Sequence, residues 1–389
     1  MRFSLLTQRK SLHTLYVIAF LLALYTALPT YINSTFLGEQ VGGVFVGAIY
    51  TVGSILTILL LLAMPRVLRA IGNFSTTLTL IVLQVISVLG LALAPSPKVI
   101  VLSFLVYLII NTLLWFTVDL LLESFTDNSH TGGIRGLYFS IANIAWVVAP
   151  TLAGFILTIT GYSTLYLATA LLLAPIAFIV TFAFREYQDP HYDSTPILGT
   201  LNTIWVRKDI YRVAMVSFLL RSFYAVMVIY TPIYLHQHIG LSWGVIGGIF
   251  TVMLVPFVLL EYPLGRIADG KLGEKELMAA GFIIIAVTTG ALSFITSTSF
   301  VLWAIFLFAT RIGAATIEIM SETYLFKKIN EEDSHILRFF RMTNPLAYVV
   351  APLIVSGVLA FLDIRYLFLL LGTVMLLGLW YSLKLKDTL

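Results

Sequence analysis

The sequence predicts an all-α membrane protein of about twelve transmembrane spans, built as two related, pseudo-symmetric six-helix bundles. Three observations predict it. First, 59% of the 389 residues are hydrophobic and only 11% are charged, with a mean hydropathy of +0.99. A soluble domain carries about 25% charged residues, so this chain cannot cover a water-facing surface, and lipid is the solvent that fits. Second, apolar runs of about 18 residues or more, with little or no charge, recur along the whole length. Third, the second half of the chain repeats features of the first.

The runs place span 1 at Leu12–Ile32, span 2 at Gly43–Ala63, span 3 at Thr76–Ala94 and span 4 at Val99–Leu121. The uncharged stretch Gly136–Phe184 is too long for one crossing, and Gly161, Tyr162 and Ser163 divide it into spans 5 and 6. A polar stretch from Arg185 to Asp209 is the one obvious linker. Spans 7 to 12 follow at Ile210–Leu235, Trp243–Leu264, Leu277–Ile295, Phe300–Phe326, Phe339–Phe361 and Arg365–Leu383. The organisation is therefore a bundle at 1–185, a linker at 186–209 and a bundle at 210–389. Arg2, Arg9 and Lys10 precede the first apolar run as they would in a signal peptide. That run continues from Leu15 to about Leu37 without a small-residue cleavage site, so it reads as a retained helix.

Orientation follows from the basic residues. Of 23 Lys and Arg, Lys98 and Arg365 fall in outer loops, Arg221 and Arg311 fall inside spans, and the rest fall on one side. Both termini are expected in the cytoplasm, with the chain multi-pass in a plasma (inner) membrane. The net charge of +4 and pI near 9.1 express this loop bias and imply no nucleic-acid partner. The absence of cysteine removes disulfides and thiolate sites.

The repeat appears at an offset near 200. Pro29-Thr30-Tyr31-Ile32 matches Pro232-Ile233-Tyr234-Leu235, and Ile49-Tyr50-Thr51-Val52 matches Ile249-Phe250-Thr251-Val252. Asp119 with Glu123 matches Glu318 with Glu322, and Val147-Val148-Ala149-Pro150 matches Val349-Val350-Ala351-Pro352. Repeated bundles that rock about a site between them are a transporter design.

With twelve spans, a six-plus-six repeat and a central linker, the whole chain resembles the major facilitator superfamily. The most specific local match is the segment Gly265-Arg266-Ile267-Ala268-Asp269-Gly270-Lys271-Leu272-Gly273 between spans 8 and 9. It is similar to the family's signature loop: a Gly, an Asp four residues on, a basic residue and a further Gly. The resemblance implies a cytoplasmic latch in which Asp269 receives the start of a neighbouring helix near Arg135 and Gly136. Gly265 would permit close helix approach and Gly273 a tight turn. The first-half loop departs from the pattern, with Pro65 where Gly would stand and Arg69 where Asp would stand. Ala149-Pro150-Thr151-Leu152-Ala153-Gly154 resembles the span-5 motif of drug and proton antiporters, with Ala149 replacing Gly. That subfamily's span-4 arginine is missing between Val99 and Leu121.

Ionisable residues inside a membrane are costly and mark function by default. Arg221 lies about 12 residues into span 7, about 18 Å deep at 1.5 Å per residue. Arg311 lies a similar distance from the outer end of span 10, so the two share a depth. The resemblance places both on helices that line a central cavity. Guanidinium groups bind carboxylate or phosphate bidentately, which suits an anionic substrate. Glu318, two turns after Arg311, could instead neutralise Arg311 or Arg221 in a pair that holds spans 7 and 10 together, or that protonation or substrate breaks. Asn111 and Thr112 occupy the repeat positions of Thr310 and Arg311, and Asn111 is read as bonding a neighbouring helix or the substrate. Tyr25 and Tyr230 are further polar groups that the sequence does not orient. Asp119, Glu123, Glu261 and Glu322 lie toward the cytoplasmic ends, with Arg66, Arg135, Arg338 and Arg341 on the same side. They suggest an inner ring of ion pairs, with Glu123 and Glu322 read as interfacial charge.

His236-Gln237-His238 reads as loop residues rather than metal ligands, and Asn33-Ser34-Thr35 as a formal glycosylation acceptor in a loop too short to use it. No phosphate-cradling Gly-Lys-Ser/Thr loop occurs, which argues against an ATP-driven pump. The expectation is a monomeric secondary transporter for a small molecule, first a small organic anion, working by alternating access without a cofactor. The rival expectations are a proton-coupled multidrug exporter with Glu318 titrating, and a non-transporting sensor or scaffold. An enzyme is not expected, because no nucleophile–base pair or metal cluster is found at one depth.

Overall fold

The computed structural model describes residues 5–124, 131–185, 189, 204–268, 273–329 and 334–386. All the regular elements in them are helices. The chain begins with α1 (Leu5–Thr30), and Pro29 near its end cannot continue the backbone hydrogen-bond ladder. After a turn at Tyr31 and Ile32 the helix resumes as α2 (Asn33–Val41), which ends at Gly42. The stretch expected as an outer loop is thus helical and packed. Asn33, Ser34 and Thr35 are buried, and Asn33 accepts a hydrogen bond from the Tyr166 hydroxyl at 2.8 Å, which hides the glycosylation acceptor.

The next element, α3 (Gly43–Leu93), contains 51 residues. At 1.5 Å per residue it would run about 75 Å, more than twice the ~30 Å hydrocarbon core. It is two spans, divided at Gly72 by φ 77 and ψ 165, a backbone region that essentially only glycine adopts. The segment between spans 2 and 3 is therefore helical on both sides of one glycine. The Asp189 carboxylate closes this break. It accepts the Asn73 N–H at 2.7 Å, supplying an acceptor and a negative charge where the next helix starts.

The remaining helices are α4 (Pro97–Ser124), α5 (Thr131–Ile159), α6 (Tyr162–Ala183), α7 (Lys208–Ile233), α8 (Trp243–Ala268), α9 (Glu274–Leu292), α10 (Phe300–Lys328), α11 (Ser334–Leu359) and α12 (Arg365–Leu383). Gly161, at φ 107, separates α5 from α6, and a π-helical turn at Tyr234–His238 extends α7. Among the described residues 11 helices are long and apolar enough to cross a membrane, and dividing the Gly43–Leu93 helix gives twelve spans. The solvent pattern agrees. Asn73, Gln84, Thr117 and Arg311 are buried, whereas Leu171, Phe182, Val287 and Phe294 are exposed. Polar groups inside and large apolar groups outside suit a chain immersed in lipid.

The chain divides into two compact units, Met1–Gly42 with Val52–Ser194, and Gly43–Thr51 with Thr195–Leu389. In the first unit α1 packs on α4, α5 and α6. Ala23 meets Ala142 and Ala145, flanked by Phe20, Leu24, Trp115 and Trp146, so small side chains let α1 and α5 approach closely. In the second unit α9 packs on α10 and α12, and α7 packs on α10, α11 and α12. Gly281 and Gly313 set the α9–α10 spacing. A Cβ on Gly313 would lie 2.6 Å from the Gly281 carbonyl oxygen, and one on Gly281 2.9 Å from the Gly313 oxygen. Backbone cannot yield as a side-chain tip does. Gly313→Ala is therefore expected to destabilise the second unit by about 1–3 kcal/mol, the usual cost of overpacking, read as a lower unfolding temperature of the purified protein.

Candidate functional site

The second unit concentrates charge between α7 and α10. Arg221 and Tyr224 are three residues apart on α7 and so share a face. Glu318 on α10 answers both. Its Oε1 lies 2.8 Å from Arg221 Nη1, and its Oε2 accepts the Tyr224 hydroxyl at 2.8 Å. Glu322, one turn further on, approaches Arg221 Nη2 at 3.8 Å. The expected interfacial glutamate thus joins the cluster, because four residues on a helix return a side chain to the same face. About a quarter of the Arg221 and Glu318 side-chain surfaces stays accessible, at 22% and 26%. The pair is partly wet.

Arg311 has a different environment. It is 2% exposed. Its guanidinium lies over the rings of Phe223 and Tyr224, at 5.4 and 5.3 Å from their centroids. Arg221 lies 5.7 Å from the same Tyr224 ring, so one tyrosine separates the two cations. Arg311 Nε has no hydrogen-bond partner, and among the described residues no carboxylate stands within ion-pair distance of Arg311. Aromatic faces attract a cation by their quadrupole, worth about 0.5–2 kcal/mol each, which does not replace a counter-ion. Glu318, the nearest candidate in sequence, is committed to Arg221 and Tyr224. The arrangement holds a surplus buried positive charge with an orphaned donor.

In the first unit the corresponding position is neutral. Asn111 on α4 accepts from the Thr26 hydroxyl at 3.0 Å, and Trp115 Nε1 donates to Thr26 Oγ1 at 3.0 Å. Asn111 therefore bonds across to α1. Tyr25 is buried against Gln84, whose amide donates to the Tyr25 hydroxyl and to the Tyr107 carbonyl. Tyr230 is likewise buried, its hydroxyl 3.5 Å from the Pro352 carbonyl.

Residues 213–388 match a family model described as the Major Facilitator Superfamily. The second half of the chain is therefore similar to the major facilitator superfamily. The fold of the chain has a match over nearly its whole length. The crystal structure of a point mutant of the nucleoside transporter NupG matches with a TM-score of 0.75, covering 96% of this chain and 99% of that one at 12% identity. At that identity the likeness concerns the fold. No curated protein matches the sequence. The chain is thus a multi-pass, all-helical membrane protein whose two-bundle, twelve-helix architecture agrees with that of a solved transporter.

Of the expected latch, Asp269 lies outside the described residues. Gly265 and Glu261 fall within α8 and Arg135 within α5, and their side chains lie outside the described set, as do those of Glu123 and Arg338. Gly273 starts α9 at φ −69 and ψ 161, extended backbone that any residue adopts, so its expected tight-turn role is not what the backbone requires. Asp119 is half-buried on α4. A carboxylate at a helix start is present in the first unit, where Asp189 meets Asn73. His236 Nδ1 bonds the Leu241 carbonyl at 2.9 Å and its ring stacks on Trp243, a loop-closing role.

Sequence reasoning missed Tyr224, Phe223 and Thr26. Tyr224 carried a usable signal, its three-residue spacing from Arg221. Phe223 and Thr26 carried none, because an aromatic or a threonine in a span is ordinary until a neighbouring helix selects it.

Proposed function

We propose that this protein carries a small organic anion by alternating access and that Arg311 receives the substrate's negative charge. The observation that carries the reading is the buried Arg311 guanidinium, flanked by rings and without a described counter-ion. A surplus cation in a low-dielectric site is costly alone and becomes favourable when an anion arrives to form charge-assisted hydrogen bonds. Arg221 tunes the site through Glu318, and Asn111 contributes to the α1–α4 contact of the first unit. In this reading the carrier is a monomer in a plasma (inner) membrane with both termini cytoplasmic, which the side bias of Lys and Arg supports.

The test is flux into proteoliposomes with a panel of monocarboxylates, dicarboxylates, phosphorylated metabolites, nucleosides and lipophilic cations. Saturable uptake of an anion, competed by related anions and indifferent to nucleosides and lipophilic cations, is the expected result. Uptake of a nucleoside or a lipophilic cation with every anion inert would overturn it.

One observation favours a second reading, a proton-coupled exporter. Glu318 alone holds both Arg221 and Tyr224, so its protonation would release two groups on α7 at once. In that case an imposed pH gradient drives substrate accumulation, and Glu318→Gln abolishes this drive while substrate exchange persists.

A further inference from the structure

We propose that the basic end of α7 forms a binding site for the headgroup of an anionic phospholipid. A cavity of about 540 Å³ opens there, lined among the described residues by Arg207, Lys208, Arg212, Lys328 and Lys386 with a single acid, Asp209. Three separate parts of the second unit converge on it: the start of α7, the end of α10 and the segment after α12. The one acid is already engaged, with Asp209 Oδ1 2.9 Å from Arg212 Nη1. The neighbouring Lys327 is neutralised by Glu274 at 2.5 Å. Lys208, Lys328 and Lys386 have no such ion pair among the described residues. Clustered cations around a concavity repel one another, and an anion seated between them relieves that repulsion.

The surroundings identify which anion. Trp205 and Val206, immediately before the basic run, are 66% and 72% exposed. Trp205 stacks on Tyr211 with centroids 4.9 Å apart. Across the same end of the bundle Trp380 is exposed, and Lys384 Nζ stands 3.6 Å from its ring centroid. Tryptophan and tyrosine gather at the level of lipid headgroups, and basic pockets between helices at that level bind anionic headgroups. A soluble phosphate would use the lysines but gain nothing from exposed Trp205 and Val206. A phospholipid uses both, its phosphate in the pocket and its acyl chains against the apolar rim. The start of α7 adds backbone N–H groups with no side-chain cap, which also favour an anion.

The experiment uses the full chain, purified and delipidated in detergent, titrated with phosphatidylglycerol, phosphatidylcholine or inorganic phosphate. Binding is followed by native mass spectrometry and thermal unfolding. Phosphatidylglycerol is expected to bind at least about tenfold more tightly than phosphatidylcholine and to raise the unfolding temperature. Each of Lys208→Gln, Lys328→Gln and Lys386→Gln is expected to weaken it by about fivefold, the triple variant compounding the loss. The single variants keep the test decisive if the triple variant does not fold. Equal retention of both lipids, or wild-type affinity in the lysine variants, would overturn the assignment. So would stabilisation by inorganic phosphate equal to that by phosphatidylglycerol, which marks a soluble-anion site. Lipid binding that emerges only when Glu331, Glu332 and Asp333 are neutralised would overturn it in favour of that acidic run as the occupant.

Discussion

Arg311→Gln is expected to cut anion flux by at least about 100-fold while leaving the protein as stable as wild type or more so. The two effects have one cause. A bidentate guanidinium gives two charge-assisted hydrogen bonds to a substrate anion, each worth about 1.5–3 kcal/mol, and a factor of 100 requires only about 2.7 kcal/mol. In the unliganded protein the same group is 2% exposed and lacks a partner at Nε. Removing an uncompensated buried charge relieves desolvation of several kcal/mol, against the loss of two ring contacts worth roughly 0.5–2 kcal/mol each. Arg311→Lys should fall between, keeping the charge and losing the planar fork. Flux of the preferred anion into proteoliposomes and thermal unfolding in detergent read the two sides. A variant that transports normally but melts early would make Arg311 a structural cation.

Glu318→Gln is expected to be the most destabilising single change in the α7–α10 cluster, and Arg221→Gln/Glu318→Gln is expected to recover much of that loss. With Glu318 neutral, Arg221 keeps, among the described residues, only the Glu322 carboxylate at 3.8 Å, and two cations then face the same Tyr224 ring. Breaking a fully buried pair costs about 3–5 kcal/mol, and a surface pair about 0–1 kcal/mol. With 22% and 26% of the two side chains accessible, about 2–3 kcal/mol is the reasonable position between those limits. The double variant removes both charges, so a double-mutant cycle should return a coupling of about 1–3 kcal/mol. Additive single effects would mean that the 2.8 Å contact contributes nothing to stability. Because Glu318 holds Tyr224 as well, Tyr224→Phe should reproduce part of the loss, about 1.5 kcal/mol, the lower end for one hydrogen bond to a charged group.

The candidate site was legible in sequence to the extent that lipid makes charge conspicuous. Arg221, Arg311 and Glu318 stand out because each is an expensive exception in an apolar run. Their pairing was not legible. Glu318 is two turns from Arg311 on one helix yet bonds Arg221 on another, a choice made by the rotation of α7 against α10. Tyr224, which touches both arginines and the glutamate, is one of 19 tyrosines. Polar neutral groups such as Asn111, Thr26 and Gln84 acquire meaning only from the helix opposite.

By itself the sequence determined the membrane class and the helical spans. These rest on composition and on periodic apolar runs, and each helix satisfies its own backbone within the bilayer whatever its neighbours do. The connecting segments depended on more than the local sequence. Asn33–Val41 and the surroundings of Gly72 are helical because distant partners, buried Tyr166 and exposed Asp189, satisfy groups that sequence alone would leave to water. Tertiary structure alone decided which charges are compensated and which are not. Charge compensation is a property of distances across helices, such as the 2.8 Å from Arg221 on α7 to Glu318 on α10, and no spacing along one chain encodes them.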